Sequence, residues 1–200
     1  MANSDTPFGA RPVGHLDGSP WNGKVNMYYV PATYGTILGI GDFVTGDADG
    51  GAAGVTVNGI DVEGMPSIAR AAAGDVTLQG VIVGFLPLQT DLTKLHNPAS
   101  TARIALVCDA PDVVYEIQED SDTSYLKVTE VGQNADLITA VDADTVTGRS
   151  KFEIDSNTHV STTAQLRLLG LAKRPGNILG SFAKWLVVIN EHTYKTTTAI

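Results

Sequence analysis

The sequence predicts an all-β protein, a barrel or sandwich with an extended N-terminal arm and very little helix. Three observations carry that expectation. Short runs rich in branched and aromatic residues recur along the chain, each bounded by turn-forming residues. The 21 glycines are spread over the whole length instead of being gathered in a linker, so they mark turns and bulges. Helical patterning is confined to two segments, each short enough to make two turns at most.

Taken in order, the chain opens with SDTPFGARPVGHLDGSPWNG, residues 4 to 23, which has neither a helical period nor a clean strand alternation yet contains Phe8, Val13, Leu16 and Trp21. Disordered tails are poor in aromatic residues, because a segment that buries nothing has no use for them. Residues 1–30 therefore read as an arm that docks on something, and residues 31–200 as a single β-rich domain. Nine runs read as strands: KVNMYYV, TILGIGDFV, VTLQGVIVGFL, ARIALVC, VVYEIQ, YLKVTEV, KFEID, AQLRLLGLA and AKWLVVIN. In KFEID, Phe152 and Ile154 alternate with charged neighbours, the period of a strand with one dry face. VTVNGIDV sets Asn58 and Gly59 between two short apolar runs, which predicts a tight hairpin with a type I′ turn. The two helix candidates are PSIARAAA (66–73) and QNADLITA (133–140), the second of which suits a barrel strand equally well. GDADGGAAG (46–54) has no anchoring side chain and reads as a mobile surface loop.

Composition narrows the classes of function. At 200 residues the chain is long enough to bury a sizeable core without staples. One cysteine, Cys108, excludes an internal disulfide framework. The N-terminus lacks the basic opening and the apolar run of about 7 to 15 residues of a secretory signal, and no stretch approaches the ~20 apolar residues of a membrane-spanning helix. The expectation is a soluble protein made in the cytoplasm, with no membrane partner. Thirteen basic against 22 acidic residues give a net charge of −9, which opposes contact with a phosphate backbone and argues against a nucleic-acid partner. The charge is unevenly placed: residues 1–150 carry 7 basic and 19 acidic residues, residues 151–200 carry 6 and 3. The acidic side peaks in DAPDVVYEIQEDSD, Asp109 to Asp122, which reads first as a solvated face.

Signals of chemistry are weak. Asp47 and Asp49 resemble the opening of a calcium loop, but Gly51, Ala52 and Asn58 stand where its further ligands and glycine belong. The four histidines, 15, 96, 159 and 192, lack the spacing that puts two imidazoles on one helical face for zinc. Cys108 ends an apolar strand and precedes Asp109, which disfavours its thiolate, so it reads as an inert core residue. No nucleophile elbow, phosphate-binding loop or dinucleotide fingerprint is present. The sequence calls for no cofactor and no metal, and it is read as a non-enzyme. A carbohydrate-acting β-barrel enzyme would need paired carboxylates, which the chain can supply but does not flag.

The runs TPFGARPV and DGSPWNG, with PLQTDLTKLHNPASTARIALVCDAPDVVYEI from Pro87 to Ile117, resemble small structural proteins encoded in the head-gene clusters of tailed bacteriophages. The resemblance covers roughly fifty residues. It implies a capsid cement or decoration protein on the virion exterior, made in the host cytoplasm, whose partner is the major capsid protein. It also implies a homo-oligomer on a local symmetry axis, a trimer ahead of a dimer. A tail or head–tail connector component is the alternative within the virion. The docking residues then expected are Phe8, Arg11, Val13, Leu16 and Trp21 on the arm, with aromatic anchors dominating affinity. Arg167, Lys173 and Arg174, with Lys184, form a basic group that would face the acidic stretch of a neighbour. The other expectation for the arm is that it packs on its own domain, covering an open end or an edge strand.

Overall fold

The structure, a computed structural model, describes residues 3–47, 50–138 and 142–195. It is nearly all β, with two 3₁₀ turns, Val128–Glu130 and Thr193–Lys195, as the only helical elements among those residues. Five strands close a barrel: β2 (Asn26–Val30), β3 (Phe43–Asp47), β6 (Ser67–Arg70), β7 (Gly80–Phe85) and β8 (Arg103–Cys108), in the order β2-β6-β3-β7-β8. Its neighbours are antiparallel except where β2 meets β6 in parallel at Tyr29 and Ser67. A second sheet of five strands runs β1 (Arg11–His15), β9 (Val113–Gln118), β14 (Lys184–Ile189), β13 (Leu166–Leu171) and β10 (Asn134–Ala135). Two small pairs complete the fold, the hairpin β4 (Thr56–Val57) with β5 (Ile60–Asp61), and β11 (Leu137–Ile138) with β12 (Glu153–Ile154).

Alternation along the strands sorts side chains into three apolar clusters. Tyr28 and Val30 on β2, Val44, Ile68, Ile82, Ala105 and Val107 point into the barrel, and a ring of five strands leaves room for little else. Their neighbours one residue along, Phe43, Val81 and Cys108, point outward and meet Val113, Tyr115, Ile117, Trp185 and Val187 from the five-stranded sheet. This is the main core, and it welds sheet to barrel. Phe43 sits edge-on to both Tyr115 and Phe152 at 6.0 Å between ring centroids. Tyr29 and Ile104 face the other way and are covered by Val57 and Val62 of the β4–β5 region. That hairpin turns as expected: Asn58 and Gly59 have φ of 53° and 76°, the geometry of a type I′ turn.

Several elements differ from expectation for identifiable reasons. PSIARAAA is strand β6, not helix, because Ile68 is needed inside the barrel and only extended backbone pairs with β3. QNADLITA supplies β10 and β11, in the second sheet and a small pair and not in the barrel; residues 139 and 140 lie outside the described residues. YLKVTEV forms a 3₁₀ turn, with Leu126 buried and Val128 exposed. Of the expected surface loop at 46–54, residues 48 and 49 lie outside the described residues, but Gly51 is buried: its N–H donates to Met65 O, and no side chain fits there, since a Cβ would lie 1.8 Å from Val62 O. The N-terminal segment is not free of sheet. Arg11–His15 pairs with β9 as an edge strand, irregular between Pro12 and Gly14, and Asn26–Val30 already belongs to the barrel. No helix among the described residues is long and apolar enough to cross a membrane.

Candidate docking cleft

The N-terminal run, the barrel mouth and the segment 144–151 enclose a cleft of about 820 Å³. One wall is built by Thr6, Pro7, Phe8, Ala10, Arg11 and Pro12, with Trp21 beside them; Ile40, ahead of β3, and Val83 of β7 add partly exposed apolar surface over the buried Ile82. A second group in the lining comprises Asp144, Thr147, Arg149, Ser150 and Lys151, and Arg174 joins it from the turn after β13.

Backbone hydrogen bonds fix these walls. Ala10 N–H donates to Gly41 O at 2.9 Å, Ile40 N–H to Gly148 O at 2.8 Å, and Ser150 N–H to Ile40 O at 2.9 Å. The three segments touch so closely at Gly9 and Gly41 that side chains do not fit: a Cβ on Gly9 would lie 2.4 Å from both Gly41 O and Ser150 Cβ, and both glycines have positive φ. Beneath the turn, Asp42 is buried and accepts from Gly39 N–H at 2.7 Å. Burial pushes its carboxyl up to about 6, against the hydrogen bonds from Gly39 and Ser150 that favour the charge. The 144–151 segment is shaped by Asp144, whose Oδ1 accepts from the N–H groups of Val146 (2.8 Å) and Thr147 (3.2 Å) and whose pKa those bonds lower. Ser150 is buried, while its neighbours Arg149 and Lys151 are exposed and half-buried respectively.

The electrostatics of the cleft run against those of the whole chain. Its lining holds four cations, Arg11, Arg149, Lys151 and Arg174, and one acid, Asp144. Arg11 Nη2 donates to Glu116 Oε2 at 2.7 Å and lies with its Cζ 5.8 Å from the centre of the Phe8 ring. Arg174 Nη1 is 3.0 Å from Glu116 Oε1, an ion-pair contact out of line for a hydrogen bond. Glu116 is 4% exposed, so two guanidinium groups share one buried carboxylate. Arg149 and Lys151 enter no ion pair among the described residues.

Four of the eight residues expected to dock a partner thus line one cleft: Phe8, Arg11, Trp21 and Arg174. The others lie elsewhere. Val13 and Leu16 are 38% and 55% exposed on and beyond β1; Arg167 donates through Nε to Asn134 Oδ1 at 3.1 Å; Lys173 is exposed outside the cleft lining. Lys184 is buried, its Nζ donating to Ser4 O and Phe182 O at 2.9 Å each. The acidic stretch is not a solvated face: Glu116, Glu119 and Asp120 are buried, and Asp109 accepts from Asn26 and Tyr28. Val113, Tyr115 and Ile117 of β9 fill the main core, Glu116 on the strand's other face is covered by Arg11 and Arg174, and Glu119 and Asp120 are buried just past the strand's end. Arg149 and Lys151 escaped the sequence reading, although RSK stands out as a basic pair in an otherwise acidic neighbourhood.

A second group of titratable residues lies where β9 ends against β12. Burial pushes Glu119 and Glu153 up to about 7 each and raises Asp155. Gln118 Nε2 donates to Glu153 Oε1 at 2.6 Å and to Asp5 Oδ1 at 3.0 Å, and Asp120 Oδ1 accepts from Ser156 N–H. None of these carboxylates lines the cleft. The histidines stand in separate settings: His15 Nδ1 is 3.1 Å from Asp112, His159 Nδ1 meets Ser156 O at 2.7 Å, and His96 and His192 are buried with lowered pKa. Among the described residues no group of three or more His, Cys, Asp and Glu is arranged to hold a metal ion; Asp49, half of the calcium expectation, lies outside them. Cys108 is fully buried and its thiol is pushed up by that burial.

No protein-family model, no curated protein and no solved structure matches the chain.

Proposed function

We propose that this protein is a structural component of a tailed-bacteriophage virion, a cement or decoration protein that binds the outside of the major capsid shell and reinforces contacts between its subunits. The observation that carries the reading is the place of the run TPFGARPV: six of its residues, Thr6 to Pro12 without Gly9, line the same cleft as Trp21 from DGSPWNG. Segments that bear the resemblance to phage head proteins therefore form one concave, partly apolar surface, the kind of feature that takes a ligand or a partner's projecting segment. Cementing needs no chemistry. Each copy that binds assembled shell and not free subunits shifts the equilibrium toward the shell, and copies that bridge subunits add avidity.

In this reading the copies associate around local symmetry axes as a homotrimer and contact only the capsid protein and one another. The test is addition of the purified protein to capsids stripped of it, with the bound position determined by electron microscopy. Ordered density over the junctions between capsid subunits is the expected result. Density confined to the portal or tail would replace this reading with a connector role, and absence from the particle would end it.

A further inference from the structure

We propose that the cleft is the docking site for an acidic peptide segment of a partner protein, held between the N-terminal run and the 144–151 segment. The inference deepens the capsid-binding reading and rests on it only for which protein donates the segment.

Charge selects the ligand class. In a chain of net charge −9, four of the 13 basic residues surround one cleft, with Asp144 the single acid in its lining. Arg11 and Arg174 share Glu116, so that trio keeps a net positive charge, and their side chains are 56% and 40% exposed. Arg149 and Lys151 enter no ion pair among the described residues, and the charge of Lys151 acts at longer range on Asp144, whose pKa it helps to lower. Asp144 directs its carboxylate to the amides of its own turn. A ligand bearing several negative charges would meet complementary groups from both walls.

Apolar surface distinguishes a peptide from other polyanions. Phe8, Pro12, Trp21 and Ile40 share the lining with the cations, so a ligand that fills the cleft must offer both apolar and anionic groups. An acidic polypeptide does this. An inorganic anion would leave the aromatic wall unused, and a nucleic acid would hold its many other phosphates against an acidic protein. The walls are already joined by backbone hydrogen bonds, so little ordering of the protein opposes binding.

The probe is the fluorescein-labelled octapeptide Glu-Glu-Glu-Phe-Leu-Glu-Glu-Glu, titrated with the full chain by fluorescence anisotropy at low and high salt. Saturable binding is expected, weakening with salt. Arg149→Glu with Lys151→Glu should weaken it by about tenfold or more, whereas Lys173→Glu, a charge reversal outside the cleft, should change it by less than about twofold. Arg149 is exposed and Lys151 half-buried, neither in an ion pair among the described residues, and an unchanged far-UV spectrum checks the fold. The inference is overturned if the wild type shows no saturable binding, if the double variant binds as well as wild type, or if the peptide with every glutamate replaced by glutamine binds equally. A sulfated oligosaccharide that binds where the peptide does not also overturns it, as does a self-association abolished by the double variant without peptide binding, which would give the cleft to a second copy. Pelleting with stripped capsids separates the two readings. Protein that pellets but ignores the peptide defeats the cleft assignment alone, and protein that binds the peptide but does not pellet defeats the capsid reading alone.

Discussion

Glu116 and Glu119 stand three residues apart, both buried, and the fold accommodates them by opposite means. Glu116, on β9, is flanked by the guanidinium groups of Arg11 and Arg174, which reach it from the N-terminal edge strand and from the turn after β13. Glu119, just past the end of β9, enters no ion pair among the described residues. Leu126 N–H donates to its Oε2 at 3.2 Å, and burial pushes its pKa to about 7, as it does for Glu153 nearby. One end of this region balances buried acid with permanent charge and leaves cations on view at a cleft. The other balances it with protons and amide hydrogen bonds. In a chain with few basic residues, stationing four of them at one cleft leaves the acids at the far end of β9 dependent on pH.

The contrast can be broken most severely by removing residues 1–23. That deletion takes away β1, Ala10 from the main core, Trp21 packed against it, and Arg11 from Glu116. We expect the shortened protein to lose its cooperative thermal transition or to melt far lower, so the segment is part of the fold as well as a wall of the cleft. Arg11→Ala with Arg174→Ala is the next largest change. It leaves Glu116 buried without its two guanidinium partners and should cost about 3 kcal/mol in urea unfolding, most of it recovered when Glu116→Gln is added. Loss of stability that Glu116→Gln does not recover would show that the arginines act through packing instead.

The proton-balanced end gives a smaller effect with a definite sign. The folded-state pKa of Glu153 is raised, so the stability it contributes is fully present below about 4.5 and is lost as the pH rises through about 7. Glu153→Gln should therefore match wild type near pH 4.5 and exceed it above pH 7 by on the order of 2 kcal/mol, measured as the difference between denaturation midpoints at the two pH values. His192 works in the opposite direction: its folded pKa is lowered to about 4, so its contribution is present above 6.5 and lost as the pH falls through about 4. The variant isolates one slope from the other. Smallest is Cys108→Ala, which trims a buried thiol and should cost on the order of 1 kcal/mol, with native thiol labelling slow before the substitution. Fast labelling near neutral pH would place Cys108 outside the core.

Much of the architecture was legible because strands with one dry face write their period into the sequence. ARIALVC, VVYEIQ and AKWLVVIN are β8, β9 and β14 almost residue for residue. Asn58-Gly59 announced its turn through the two residue types that tolerate positive φ. PSIARAAA misled because small residues with good helix propensity can also fill a narrow barrel strand, and tertiary pairing decided. Strand β1 was hidden by Pro12 and Gly14, which break alternation at its irregularity. Four of the cleft's sixteen lining residues, Phe8, Arg11, Trp21 and Arg174, were legible. Arg149 and Lys151 were not, because they are brought to the N-terminal run only by the bonds among Ile40, Gly148 and Ser150, contacts over a hundred residues apart that no local pattern encodes.

In our proposal the surface shared by the N-terminal run and the 144–151 segment is where this protein meets its partner. Hydrogen-exchange footprinting of the full chain, free and bound to stripped capsids, tests it directly. New protection concentrated in residues 6–12, around Trp21 and in 144–151 is the predicted result. Protection of the β4–β5 hairpin or another distant surface, with those segments exchanging as in the free protein, would contradict it.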